Sequence, residues 1–262
     1  MSLERAERRL LRKERNYEIS QRMKNKFSEE YDALEEVFDR STIFLVFDLM
    51  RAGVIGKLGG AISAGKESRV FWGLSPEGRE LAIKIYLTAD SEFRKGMLQY
   101  IIGDPRFTKV RRGTRSLVHL WASKEFKNLE RAQEAGVRAP KPIIVRENVL
   151  VMEFVGRRGR PAPLLKDVEL EDPDGTYRDL LKGVRRLFLK ARLVHGDLSQ
   201  YNVMIWKKRA VIFDLSQSML REHVMAMDLL RRDIGNLNAY FRRVGAKVLP
   251  EEEAIKWVTS VD

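Results

Sequence analysis

The stretch His195-Gly196-Asp197-Leu198-Ser199-Gln200-Tyr201-Asn202 decides how the rest of the chain is read. Its spacing is one histidine, one intervening residue, an aspartate, four intervening residues and an asparagine. That spacing has a mechanical reason. A carboxylate at the mouth of a cleft can face an attacking hydroxyl, while an amide at the end of the following turn points back to a metal-bound phosphate. Twelve residues on from Asn202, Val211-Ile212-Phe213-Asp214 reads as an apolar strand ending in a carboxylate. Two carboxylates and an amide can then converge on Mg2+, a hard cation that prefers oxygen ligands and keeps several waters. A polar loop with helix caps would use the same residue types. It would not call for a strand with a terminal acid at this distance.

Upstream, Leu81-Ala82-Ile83-Lys84-Ile85 is an apolar strand carrying one cation. Such a lysine either snorkels to water from an edge strand or meets an anion, because an unpaired buried charge is costly. The helix predicted over Leu120–Ala135 offers Glu125, Glu130 and Glu134. Glu125, in its first turns, is the expected partner. Together the lysine strand and the 195–202 loop match two protein-kinase signatures, the strand lysine and the catalytic loop. Gly59-Gly60-Ala61-Ile62-Ser63-Ala64-Gly65-Lys66-Glu67-Ser68 invites a Walker-type reading, since Gly60, Gly65 and Lys66 fit its spacing. It fails at Glu67, where a hydroxyl should reach the metal. It fails again because Arg69–Leu74 reads as a strand, whereas a Walker loop opens a helix. The kinase reading puts this loop between two strands as a phosphate cover, although the full G-x-G-x-x-G pattern is missing.

Taken together, SAGKES, AIKIY, VLVMEFVG, LVHGDLSQYN and IFDLSQS resemble the RIO family of atypical protein kinases, most of all its Rio-one branch. The resemblance runs from about Glu29 to the C-terminus. It implies an α+β, two-lobed kinase-like fold with a β-rich N-lobe, an extra N-terminal helix and a truncated helical C-lobe. It implies Asp197 as catalytic base, Asn202 and Asp214 as metal ligands and Lys84 as the phosphate-binding lysine. Ser63, Lys66 and Glu67 would belong to the phosphate loop. Met152, Glu153 and Val155 would form the hinge, with backbone groups of Glu153 and Val155 reading adenine. Asp214 is similar to an aspartate that can itself be phosphorylated, which adds ATPase-like turnover. The implied cofactors are ATP and Mg2+, with Mn2+ as a substitute, and the implied role is maturation of the small ribosomal subunit. The chain departs from ordinary protein kinases in having Leu215-Ser216 after Asp214 instead of Phe-Gly, and no Ala-Pro-Glu downstream. Only 48 residues follow Asp214, so the helices that dock an extended peptide are expected to be missing.

Composition narrows the remaining choices. In 262 residues, Lys plus Arg is 49 and Asp plus Glu is 37, a formal charge of +12. A surplus of this size points to a polyanionic partner. Residues 94–127 hold nine Lys or Arg against two acids. With no cysteine and 3 histidines, disulfide scaffolds, thiol nucleophiles and Cys-ligated zinc are excluded. The longest apolar run is Ile43–Phe47, too short to span a bilayer. The N-terminus has no apolar segment of the secretory kind. A cytoplasmic protein without a membrane partner is expected, its oligomeric state open.

The expected order is a charged arm over 1–28, a helical extension over 29–54 with a second helix capped by Ser41, an N-lobe over 55–155 and a C-lobe over 156–262. Within the N-lobe, 88–117 reads as a loop-like basic insertion. GRRGRPAP at 156–163 reads as a linker, followed by helices over 176–192, 220–244 and 250–262. Two other functions compete. One is a small-molecule phosphotransferase, since the same loop and strand-end Asp also look like aminoglycoside and choline kinases. The other is a nucleic-acid-binding module with a vestigial nucleotide site. Intact Lys84, Asp197, Asn202 and Asp214 argue against the latter.

Overall fold

The computed structural model describes residues 38–87, 91–102, 104–107 and 114–260. The arm over 1–28, the first helix of the extension and parts of the basic insertion lie outside them. By compactness the chain divides into one unit running to Gly60 and including Gly73–Arg79, and another of Ala61–Trp72 with Glu80–Asp262. In the first unit, α1 (Arg40–Arg51) buries Ile43, Val46, Phe47 and Leu49 on one side. Its N-cap is Asp39, two residues before the expected Ser41. The extended Asp39 backbone lets its carboxylate accept from the Thr42 N–H at 2.8 Å. Ser41 instead donates its hydroxyl to that carboxylate at 2.7 Å.

Five strands, β1 (Lys57–Ala64), β2 (Ser68–Leu74), β3 (Glu80–Tyr86), β4 (Pro142–Arg146) and β5 (Val149–Glu153), form one sheet in the order β1-β2-β3-β5-β4. Strand β5 is antiparallel to both its neighbours, with Lys84 opposite Leu150 and Leu81 opposite Glu153. Side chains alternate along a strand, so Ala82, Lys84 and Tyr86 share a face while Leu81, Ile83 and Ile85 take the other. All six are buried, so both faces of β3 are covered.

Two segments differ from their sequence reading. Much of the basic insertion is helical, not a loop: α2 spans Ser91–Ile101. Met97 and Ile101, one turn apart, are each 1% exposed and anchor it. Gly96 and the flanking charges hide that period in the sequence. A single 3-10 turn, Pro105–Phe107, follows. Helix α3 (Thr114–Glu134) then begins six residues before the expected Leu120, because Leu117, Val118, Trp121 and Ala122 already form its buried stripe. The supposed linker is a hairpin of β6 (Gly156–Arg157) and β7 (Arg160–Pro161). Gly156 is required there, since a Cβ would collide with the Arg160 carbonyl and the Phe154 ring.

The C-lobe is helical. Helix α4 (Pro173–Leu189) starts at Pro173, with Asp172 as N-cap accepting from the Gly175 N–H at 2.8 Å. It buries Tyr177, Leu180, Leu181, Val184, Leu187 and Phe188. Each such side chain contributes about 1.5–3 kcal/mol when fully buried. Helix α5 (Ala226–Arg243) and α6 (Glu251–Thr259) complete the same core, with the Tyr177 and Phe241 rings 5.3 Å apart. Two short ladders flank the loop 195–202 and Asp214: β8 (Leu193–Val194) pairs with β11 (Met219–Leu220), and β9 (Val203–Trp206) pairs with β10 (Arg209–Ile212).

Candidate active site

The loop 195–202 leaves β8 and re-enters β9, and short hydrogen bonds fix its shape. Asn202 Nδ2 donates to the Asp197 carbonyl at 2.7 Å and to Asp197 Oδ2 at 3.1 Å. The Phe213 N–H donates to the Asn202 carbonyl at 3.1 Å, tying the loop to the end of β10. His195 is buried. Its Nδ1 accepts from the Asp197 N–H at 3.3 Å, which leaves Nε2–H to donate to the Phe213 carbonyl at 3.1 Å. Asp197 is exposed. Gly196 turns at φ +81 with the Gln217 carbonyl close against it, a position a side chain would strain.

Facing this loop, Lys84 Nζ lies 3.0 Å from Glu125 Oε1, 2.9 Å from Glu125 Oε2 and 2.9 Å from Asp214 Oδ1. Lys84 is 6% exposed and Glu125 1%. The Tyr86 hydroxyl donates to the same Glu125 carboxylate, and Lys84 sits 5.1 Å from the Tyr86 ring centroid. Asp214 takes a left-handed backbone, φ 59, and its Oδ1 also accepts from the Ser216 hydroxyl at 2.8 Å. Burial opposes charge on Lys84, but Asp214 and Glu125 outweigh it and raise its pKa. Burial would raise Asp214, yet Lys84 and the Ser216 hydroxyl hold it down at about 2. Burial pushes Glu125 up to about 7, against the pull of Lys84. Glu67 is likewise pushed up to about 7, by burial and then by Asp214.

A cavity of about 480 Å³ joins these groups. It takes in Ser63, Lys66, Glu67, Lys84, Glu125, Met152, Glu153, Val155, Asn202 and Asp214. Thus the structure gathers every expected site residue except Asp197 around one space. Ala82, Val70 and Met204 give it apolar walls suited to a flat ring. At the hinge, the Glu153 N–H is spent on the Lys141 carbonyl at 2.8 Å, and the Val155 carbonyl accepts from Ala162 at 2.9 Å. The Val155 N–H has no partner among the described residues. The glycine loop joins β1 to β2, so no helix begins there. Its turn is closed by the Gly65 N–H donating to the Ser68 carbonyl at 3.0 Å, and the Leu87 N–H reaches the Glu67 carbonyl at 2.9 Å. Ser63 and Lys66 are exposed at its tip.

The donor set suits Mg2+. Asn202 spends its amide nitrogen on Asp197 and keeps Oδ1, while Asp214 spends Oδ1 on Lys84 and Ser216 and keeps Oδ2. Both remaining atoms are hard oxygen donors. Among the described residues no group of three or more His, Asp and Glu forms a chelating cluster. Phosphate oxygens and water would therefore complete such a shell.

Sequence reasoning missed the residues that hold the loops. From α5, Asp233 accepts from the Gly196 and Leu198 N–H groups, each at 2.8 Å. Arg232 donates to the Gly196 carbonyl and Asn236 to the Leu198 carbonyl. Burial raises Asp233 to about 6, against the opposing pull of His195 and the two N–H donors. From α3, Lys124 Nζ donates to the Ser216 carbonyl at 2.8 Å and to that of Ser218. Asn128 donates to the Leu215 carbonyl at 2.8 Å. Lys124 and Asn128 are fully buried. The available signal was a polar residue inside an apolar helical stripe, which needs a partner.

Comparison with known proteins bears on the same residues. A family model described as RIO domain matches residues 69–254. The chain is 43% identical over 235 residues to the RIO-type serine/threonine-protein kinase Rio1 of Haloferax volcanii, covering 90% of this chain and 80% of that one. It is 41% identical to the Methanocaldococcus jannaschii protein of the same name, covering 83% of this chain and 74% of that one. Against the Homo sapiens serine/threonine-protein kinase RIO1 it is 37% identical, covering 86% of this chain but 40% of the human one. Among solved structures, the Rio2 kinase–ADP/Mg2+–phosphoaspartate complex of Chaetomium thermophilum has the same fold, with a TM-score of 0.63, 24% identity and coverage of 82% and 66%. A kinase-type loop, a lysine–glutamate pair and a strand-end aspartate thus recur on a chain whose family model spans both lobes, and this chain belongs to the RIO family of Rio1-type atypical serine/threonine kinases.

Proposed function

We propose that the chain transfers the γ-phosphoryl group of Mg-ATP to a serine or threonine hydroxyl, with Asp197 as base. The carrying observation is the gathering of Lys84, Glu125, Asn202 and Asp214 around one cavity, with Asp197 hydrogen-bonded to Asn202. Lys84, oriented by Glu125, holds the α- and β-phosphates. The Val155 N–H and the Glu153 carbonyl read adenine between Ala82, Val70 and Met204. Asn202 and Asp214 hold Mg2+, which when bound neutralises charge on the phosphates. Asp197 orients the acceptor hydroxyl and takes its proton as the new O–P bond forms and ADP leaves. The Haloferax and Methanocaldococcus relatives, named as serine/threonine kinases, support this acceptor class over a small-molecule one.

Asp214 supports a second outcome at the same site. Its Oδ2 is free of hydrogen bonds among the described residues. Attack by that oxygen on the γ-phosphorus would expel ADP and leave a phosphoaspartate, which water would hydrolyse to free phosphate. The Chaetomium Rio2 structure is named for such a phosphoaspartate. The +12 charge and the resemblance favour pre-ribosomal small-subunit particles as partner, in the cytoplasm.

The deciding experiment follows γ-labelled ATP with and without purified small-subunit particles, locating label on Ser or Thr, on Asp214 and as free phosphate. Asp197→Ala and Asp214→Asn should each lower turnover by about a hundredfold or more. Unchanged turnover in both would sink the assignment.

A further inference from the structure

The catalytic loop borders a second cavity, of about 400 Å³, which takes in Asp197, Ser199, Tyr201, Asn236, Tyr240 and Arg243. Asp197 lines this cavity and not the nucleotide-sized one, whereas Tyr201 lines both. The two spaces therefore meet at the residue beside the metal-facing amide. Phosphoryl transfer needs attacking and leaving oxygens roughly in line. The second cavity is the approach that leads an acceptor to the Asp197 carboxylate.

One wall of it is a face of α5. Asn236, Tyr240 and Arg243 recur at helical spacing and so lie on one side. The near end of this face is pinned to the catalytic loop by Asn236 Nδ2 donating to the Leu198 carbonyl at 3.2 Å. In the middle, the Tyr240 hydroxyl donates to the Leu165 carbonyl at 2.7 Å and fixes the ring. At the far end, the Arg243 guanidinium lies 5.5 Å from the centroid of that ring. Arg231 on the same helix is paired with Glu251 and Glu252. Arg243 forms no salt bridge among the described residues, so its guanidinium lines the cavity without a paired carboxylate.

The seven helical steps from Asn236 to Arg243 span about 10 Å. An extended chain in the polyproline-II conformation, with three residues per turn and about 3.1 Å per residue, covers that distance in about three residues and returns the third to the same side. We propose that the second cavity is the acceptor site for an extended, acidic protein segment. Its serine or threonine meets Asp197, and a carboxylate three residues away meets Arg243. This rests on the phosphotransfer reading above. A nucleic-acid strand fits less well, because it would press several phosphates against Asp197 and find a single cation.

The test uses γ-labelled ATP and serine peptides that differ only three residues before or after the serine, where they carry Asp, Ala or Lys. Wild type should favour one Asp peptide over its Ala counterpart by about tenfold in kcat/KM, the worth of one charge-assisted hydrogen bond. Arg243→Ala should bring the ratio to about one, and Arg243→Glu should shift preference to the Lys peptide. A purely structural Arg243 would lower all peptides alike and overturn the proposal. So would a wild-type ratio near one, or an RNA oligomer that blocks transfer in wild type but not in Arg243→Glu. No transfer to any peptide while wild type still hydrolyses ATP also overturns the acceptor site. Wild type without any ATP turnover instead overturns the phosphotransfer reading.

Discussion

Lys84 stands between two carboxylates, and removing its charge strands Glu125. Glu125 is 1% exposed and cannot turn to water. Breaking a buried ion pair from one side costs on the order of 3–5 kcal/mol. Lys84→Met should therefore lower the thermal midpoint by several degrees, at about 2–4 °C per kcal/mol for a domain of this size, and also remove ATP turnover. Calorimetry and a phosphate-release assay read the two effects separately; an unshifted midpoint would show that the pair is not stabilising. At this scale the site was legible, because Lys84, Glu125, Asn202 and Asp214 announce themselves by residue type and spacing. Asp233, Lys124 and Asn128 did not. Their partners are backbone N–H and carbonyl groups, and the backbone carries no letter in a sequence.

Helix α5 acts on the catalytic loop as one piece, through Arg232, Asp233 and Asn236. Asp233→Asn keeps one acceptor but sets an N–H2 group against a backbone N–H. It should reduce turnover by about tenfold or more, since a misplaced loop loses positioning. Asp233 also leaves a pH signature. Its pKa rises from 3.8 to about 6 on folding. Between those values the folded chain holds a proton that the unfolded chain has released. Its contribution to stability is therefore fully present below about pH 4 and is lost as pH rises through about 6. Urea titrations from pH 4 to 7 should show a steeper fall in wild type than in Asp233→Asn, the slope left in the variant coming from Glu67 and Glu125, which are raised as well. Elements were less legible than residues. Helix α2 reads as a loop in the sequence because Gly96 and its neighbouring charges outweigh Met97 and Ile101, whose shared burial only the fold reveals. The 156–163 hairpin was missed because glycines and arginines look like linker while the fold uses them for a tight turn.

Over the whole molecule, the +12 charge is not all surface. Within 94–127, Arg106 is paired with Asp104 at 2.6 Å and bound to Asn128 at 2.8 Å, and Lys124 is buried against carbonyls. Two of the nine basic residues in that stretch are thus committed to internal structure. The proposed binding to small-subunit RNA should still weaken steeply with salt, with a log–log slope that falls by roughly one for each phosphate-contacting Lys or Arg removed. Lys127→Ala and Arg115→Ala are the informative changes, and a flat salt response would remove RNA as a partner. The α+β class and the two-lobed fold were legible from the motifs that carry the family resemblance. The boundary residues were not, because caps and first turns are settled by packing.

The Lys84–Asp214 contact joins positions 130 residues apart. Closing a loop of that length is entropically late, since nothing rewards it until most of the intervening chain is in place. During refolding from urea, helical circular dichroism should therefore return before the ability to capture a fluorescent ATP analogue. Coincident traces would refute that order. A chain freshly made or partly unfolded would then pass through a helical form that cannot yet spend ATP.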